Sequence, residues 1–208
     1  MTPDLFVTGT DTGAGKTLLS ALLVAALNRK YWKPIQTGTS EGTDREAVMK
    51  WAGVSADRAY PETYRFNPAV SPHLAAEKQG VTIDLARIQR PASNEPLVIE
   101  GAGGVFVPIN NAAFMLDLMR QLGAPAVIAA RTTLGTINHT LLTIAALREA
   151  RLELRGVVMT GEENADNRRA IERYGNIAVI GAIPWLDTID RPALCSVFDR
   201  YFDARAFE

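Results

Sequence analysis

One stretch constrains this chain more than any other: Gly9-Thr10-Asp11-Thr12-Gly13-Ala14-Gly15-Lys16-Thr17. It follows the apolar run Leu5-Phe6-Val7 and opens into Leu18-Leu19-Ser20-Ala21-Leu22-Leu23-Val24-Ala25-Ala26-Leu27. A buried-type strand, a tight loop ending in Gly-Lys-Thr and then a helix is the context of a phosphate-binding P-loop. Successive backbone N–H groups and the positive end of the helix surround phosphate oxygens. Lys16 reaches the outer phosphates, and the Thr17 hydroxyl sits on Mg²⁺. The spacing is irregular. Counted from Gly9, five residues precede Gly15, one more than the usual motif has. Counted from Thr10 the spacing is regular, with Thr where the first glycine belongs.

Around that loop, strand-like and helix-like segments alternate through the 208 residues, the pattern of an α/β domain with a mainly parallel, doubly wound sheet and helices on both faces. Tyr31-Trp32-Lys33-Pro34-Ile35 reads as a strand ending at a proline, Gln36–Thr43 as a polar loop, and Asp44–Trp51 as a helix. Residues 53–72 read as loop with short pieces of structure. Ser71 and Pro72 read as N-cap and first position of the helical run Leu74–Lys78. Pro96–Glu100 is a buried-type strand, with Gly101-Ala102-Gly103-Gly104 after it. Helices near Ala113–Leu122, Thr136–Ala150 and Asn164–Tyr174, and one from about Arg191, then alternate with strands Ala126–Ala130, Gly156–Thr160 and Ala178–Ala182. One domain over 1–208 is expected.

Composition narrows the function. A formal net charge of −1 argues against nucleic acid or an anionic membrane as general partners. A single cysteine, Cys195, fits a reducing cytoplasm, and two histidines, His73 and His139, leave little for a His/Cys metal site. In a doubly wound sheet, ligands gather at the carboxyl ends of the strands. Glu100 ends its strand where P-loop proteins hold an acid near Mg²⁺. The glycines after it let backbone approach a ligand. Lys33 is either a second cation beside a transferring phosphoryl group or a lysine snorkelling from a sheet edge. Asp44 is either a second Mg²⁺ carboxylate or the cap of the helix it begins. The helix start at Thr136, behind Leu134-Gly135 and with Asn138 in its first turn, offers N–H groups to an anion or is simply a capped helix. His139 reads as a packed or hydrogen-bonding residue.

Taken together, these segments resemble the dethiobiotin synthetase family. The matching pieces are Phe6–Thr12 with Gly15-Lys16-Thr17, Lys33-Pro34 with Thr37-Gly38, Ser71-Pro72-His73, Glu100–Gly104, Leu134-Gly135 with Ile137-Asn138-His139, and Ile183-Pro184-Trp185-Leu186. They occur in family order over nearly the whole chain, and the family shares the odd spacing of the loop. The resemblance implies a P-loop ligase that joins 7,8-diaminononanoate and CO2, with Mg·ATP, into dethiobiotin, ADP and phosphate. A carbamate and its phosphoric anhydride are the implied intermediates. It implies that Gly13, Ala14, Gly15, Lys16, Thr17 and Leu18 hold the triphosphate, and that Thr17, Asp44 and Glu100 hold Mg²⁺. Lys16, Lys33 and Thr12 would act at the reacting groups. Thr12, Lys33 and Thr37 would bind the diamine or carbamate end. Glu100, Gly101, Ala102 and Gly103, with Thr160, Pro184, Trp185 and Leu186, would line the nucleotide site. A homodimer is implied, with the substrate near the subunit interface and its carboxylate tail received by Leu134 and Asn138 of the partner chain.

The chain departs from well-known members at Gly13-Ala14, which replace Glu-Val, at Arg131-Thr132-Thr133, and at Thr160, where some relatives read adenine with an Asn. A hydroxyl cannot make a two-point amide contact, so CTP or another nucleoside triphosphate is an open alternative to ATP. Other readings are a nucleotide-switched ATPase of the chromosome-partitioning kind, an amidoligase acting on a corrin ring, and a catalytically dead binding module. The first lacks its usual early loop lysine here, the second its usual added glutaminase domain. The third is weakened because Lys16, Lys33 and Glu100 are all present.

Overall fold

The computed structural model describes residues 3–208. In chain order the main elements are β1 (Leu5–Gly9), α1 (Lys16–Leu27), β2 (Lys30–Trp32), β3 (Ile35–Thr37), α2 (Asp44–Ala52), β4 (Ala59–Tyr60), β5 (Tyr64–Phe66), α3 (Pro72–Lys78), β6 (Leu97–Gly104), α4 (Met115–Leu122), β7 (Ala126–Arg131), α5 (Thr136–Glu149), β8 (Leu154–Thr160), α6 (Ala165–Gly175), β9 (Val179–Ile183) and α7 (Arg191–Tyr201). Seven strands form one sheet in the order β4-β2-β6-β1-β7-β8-β9, and every pairing in it is parallel.

Period-two alternation sorts the strand residues onto two faces. Leu5, Val7, Val98, Val127, Ala129, Val158 and Ile183 face α1, α2 and α7. Phe6, Leu97, Ile99, Ala126, Ile128, Val157 and Met159 face α3, α4, α5 and α6. Because both faces are covered, the central strands read as continuous apolar runs. Each fully buried Leu, Val or Phe in these layers contributes about 1.5–3 kcal/mol. The order reverses around β1, so the carboxyl ends of β1, β2 and β6 open onto one crevice. Among the described residues no helix is long and apolar enough to cross a membrane.

Two segments differ from the sequence expectation. The strand expected over 31–35 is broken at Lys33-Pro34, and Ile35-Gln36-Thr37 is not loop. It pairs in parallel with Tyr64–Phe66 in a separate two-stranded sheet. Proline lacks the N–H a central ladder needs, and the Pro34 carbonyl instead accepts from Thr63 and Tyr64 N–H. Likewise Gly101–Gly104 continues β6 instead of leaving it.

The cap of α2 is also not where the sequence suggested. Thr43 caps it: its hydroxyl accepts from Glu46 N–H at 3.1 Å, while Glu46 accepts from Thr43 N–H at 2.8 Å. This reciprocal box leaves the Asp44 carboxylate free to face the crevice. Thr43→Ala is expected to cost about 1 kcal/mol, a fall of roughly 2–4 °C in Tm, measured by thermal unfolding. Ser71 precedes α3 as expected but makes no side-chain cap; its hydroxyl lies 3.0 Å from Nδ1 of His73.

Candidate active site

The loop between β1 and α1 is built around Gly15, which caps α1 with φ of 85° in the left-handed region. A Cβ there would lie 2.7 Å from the Thr160 methyl. The Lys16 side chain folds back over the loop, and its ammonium donates to the Asp11 carbonyl at 3.0 Å. Lys16 is 7% exposed. Burial lowers its pKa, against the opposing pull of Glu100. Thr12 and Gly13 form the exposed crest, while Ala14 is fully buried beneath it.

Four side chains from four elements meet beside this loop. Thr17 on α1 donates from its hydroxyl to Asp44 Oδ1 at 2.8 Å and stands 3.0 Å from Glu100 Oε1. The Lys33 ammonium, just past β2, donates to Asp44 Oδ2 at 2.6 Å and Glu100 Oε1 at 3.0 Å. The Glu100 side chain, on β6, is wholly buried and that of Lys33 nearly so, while that of Asp44 is 29% exposed. Behind them the Tyr31 hydroxyl donates to Glu100 Oε2 at 2.9 Å. Gln36 holds the helix start, accepting from Asp44 N–H at 3.1 Å. Burial alone would lower the Lys33 pKa, but the Glu100 and Asp44 carboxylates more than reverse it and hold the ammonium protonated. Burial would likewise raise Asp44, yet Lys33, with hydrogen bonds from Lys33, Thr17 and Gln36, keeps it lowered and ionised. The snorkelling alternative for Lys33 and the cap alternative for Asp44 both fall on this geometry.

A cleft of about 970 Å³ runs over the cluster. Thr12, Gly13, Gly15, Lys16, Thr17 and Leu18 line it from the loop side, Lys33, Thr37 and Asp44 from one wall, and Glu100, Ala102 and Gly103 from the floor. Ala14 and Gly101 do not. The missing side chain of Gly101 serves packing, since a Cβ there would sit 2.9 Å from the Phe6 ring. A hydroxyl and two carboxylates are hard oxygen donors of too few protein ligands for a closed cage. That is the donor set Mg²⁺ takes when phosphates and waters complete its shell.

The remaining expected residues lie apart from this cleft. Thr160, at the end of β8, donates its hydroxyl to the Ala14 carbonyl at 3.0 Å. Trp185 is 82% exposed, close to Gly161 and flanked by partly buried Pro184 and Leu186. Leu134 and Asn138 are exposed at the start of α5, and His139, expected to be packed or hydrogen-bonding, is exposed too and so not packed.

Sequence reasoning passed over Tyr31, Gln36, Arg131, Lys50 and Trp51. Lys50 and Trp51 line the outer end of the cleft from α2, and Arg131 pairs with Asp11 of the loop. A signal existed for Tyr31. It lies on β2 two residues before Lys33, and a buried phenol needs a partner.

Comparison with known proteins places the chain in a family and a fold. A family model described as an AAA domain matches residues 3–193. Among solved structures, a ParA family ATPase from Chlorobium tepidum superposes with a TM-score of 0.58, covering 95% of this chain and 91% of that one at 12% identity. So low an identity speaks for the shared P-loop fold alone. Sequence relatives are much nearer. The ATP-dependent dethiobiotin synthetase BioD of Rhodopseudomonas palustris (strain BisA53) is 46% identical over 207 residues, 100% of this chain and 97% of the relative. That of Novosphingobium aromaticivorans is 48% identical over 201 residues, 97% of each. On identity sustained at this level from end to end, the chain belongs to the ATP-dependent dethiobiotin synthetase family.

Proposed function

We propose that this protein carboxylates 7,8-diaminononanoate with CO2 and closes the cyclic urea of dethiobiotin, converting ATP to ADP and phosphate. The observation that carries this reading is the linked cluster of Thr17, Lys33, Asp44 and Glu100 beside the Lys16 loop. One amine adds to CO2 and loses a proton, giving a carbamate. A carbamate oxygen takes the γ-phosphoryl group as the bond to ADP breaks. The second amine then attacks the carbamoyl carbon and gives up a proton, and the C–O bond to the phosphoryl group breaks as phosphate leaves.

This chemistry asks the protein mainly for positioning and charge neutralisation. The N–H groups of Gly13, Ala14, Gly15, Lys16, Thr17 and Leu18 hold the phosphates, and the Lys16 ammonium moves from the Asp11 carbonyl to the outer ones. Thr17, Asp44 and Glu100 would hold Mg²⁺, which would supply neutralisation of phosphate charge. Lys33, whose ammonium form Glu100 and Asp44 favour, faces the charge shared between the γ-phosphate and the carbamate. The Thr12 and Thr37 hydroxyls, both on the cleft wall, orient the amine and carbamate end.

The chain acts as a homodimer. Leu134, just before α5, is fully exposed and Leu142 on it is 61% exposed, two apolar side chains suited to contact with a second copy. There the α5 start with Asn138 receives the carboxylate tail across the interface. The lone Cys195 fits a reducing compartment, and the cytoplasm is the proposed site of the reaction.

On the nucleotide side, Pro184, Trp185 and Leu186 frame the base. Thr160 already gives its hydroxyl proton to the Ala14 carbonyl, so it has no donor left to read adenine. ATP, CTP and GTP are therefore expected to support the reaction with kcat/KM within about tenfold of one another, since no buried amide rejects the wrong base. The test follows ADP (or the matching diphosphate) and the cyclic urea together, with diamine, bicarbonate and Mg²⁺. Nucleotide hydrolysis that ignores the diamine and yields no dethiobiotin sinks the functional reading. Dethiobiotin formed with a strong preference for ATP sinks only the assignment of Thr160.

A further inference from the structure

We propose that Tyr31 is a positioning residue that anchors Glu100 so that one of its oxygens stays turned toward the cation. The proposal rests on the reading above that Glu100 belongs to the Mg²⁺ set. The oxygens of the two acids divide unequally. Asp44 Oδ1, Asp44 Oδ2 and Glu100 Oε1 all receive Thr17 or Lys33, the groups that face the cleft. Glu100 Oε2 alone points away, to the Tyr31 hydroxyl.

A cation arriving on Asp44 and Glu100 must take oxygens that Lys33 and Thr17 now occupy. Among the described residues, the Tyr31 bond is the side-chain hydrogen bond to these carboxylate oxygens that this exchange need not disturb. Tyr31 is fully buried in β2, which runs parallel to β6 with Tyr31 opposite Val98. Val98 and Glu100 share a face, so the phenol extends along that face to reach the carboxylate. A rigid ring with one donor at its tip fixes the last torsion of Glu100, which a flexible side chain would leave free. Removing that donor leaves a buried carboxylate oxygen without a partner, and the carboxylate is then free to turn inward at the expense of the cleft.

The experiment uses Tyr31→Phe in the full chain, which keeps the ring and its packing. With ATP present, binding of Mn²⁺ is read by electron paramagnetic resonance, and the half-saturating Mg²⁺ of the reaction is read by steady-state kinetics. Both are expected to weaken by about tenfold, while KM for the diamine stays within about twofold of the parent. Glu100→Gln serves as the reference and should weaken Mn²⁺ binding at least as much. If Glu100→Gln weakens it and Tyr31→Phe does not, the role of Tyr31 is overturned and the metal reading stands. If Tyr31→Phe lowers only Tm, the residue merely packs. If Glu100→Gln itself leaves Mn²⁺ binding unchanged, the metal reading fails and takes this proposal with it.

Discussion

Replacing Lys33 by Gln is expected to leave nucleotide affinity within a fewfold of the parent while turnover falls by about 10²–10³-fold, the loss typical of removing one preorganised charge stabiliser. The triphosphate keeps the loop N–H groups and Lys16, which lie on a different element. In the proposed reaction it is the carbamate that would lose its cation. A second effect separates this role from simple damage. Lys33 now bridges Asp44 and Glu100 at 2.6 and 3.0 Å. Taking away its charge leaves two acids close together and largely shielded from water, which destabilises the fold by several kcal/mol. A divalent cation that binds the folded state restores stability by mass action. Mg²⁺ should therefore raise the Tm of Lys33→Gln more than that of the parent. Nucleotide titration, steady-state turnover and thermal unfolding with and without Mg²⁺ check the three parts. Unchanged turnover removes Lys33 from the mechanism, and equal Mg²⁺ stabilisation separates it from the cation site.

Which parts of this were legible in the sequence follows from the range of the interactions. β1, the loop and α1 are local: an apolar run, a glycine turn and a helical repeat sit next to one another, and each agrees with the next. Glu100 was legible as the acid that ends an apolar run. Pairs distant in sequence were not. Tyr31 and Glu100 are 69 residues apart, and Asp11 and Arg131 are 120 apart. No local pattern announces such partners.

The α2 start shows how a local rule misleads by one residue. Thr43 and Asp44 are both good caps, and only the reciprocal bond with Glu46 selects Thr43. That choice sends Asp44 to the cleft. At Lys33-Pro34 the sequence marks a strand end, but not that the chain then begins a second sheet. The partner strand Tyr64–Phe66 comes from a stretch with poor periodicity. The site assignments at Asp44 and Thr37 thus drew on family resemblance, while Lys16 and Glu100 stood on their own chemistry.

Gly15→Ala should be the most damaging single methyl group in the loop, and the reason is again a distant partner. Its φ of 85° costs an alanine roughly 1–2 kcal/mol by itself. The new Cβ would also lie 2.7 Å from the methyl and 2.9 Å from the hydroxyl of Thr160. Thr160 cannot easily yield. Threonine is stiff about χ1, and this hydroxyl is tied to the Ala14 carbonyl. The loop must move instead, and a misplacement of about 1 Å among groups that aim at phosphate costs on the order of a hundredfold. Nucleotide affinity, read by calorimetric titration, should fall by at least that factor. Pairing the change with Thr160→Ala removes the two closest contacts, leaves the Cβ of residue 160 at 3.0 Å and keeps the backbone strain, so affinity should recover in part. No recovery assigns the whole effect to backbone conformation. Full affinity in Gly15→Ala alone means that the loop does not hold phosphate through this turn. Partial recovery identifies the end of β8 as the support on which the phosphate loop rests, which makes Thr160 a structural neighbour of the proposed triphosphate site and leaves recognition of the base to the segment proposed to frame it, Pro184-Trp185-Leu186.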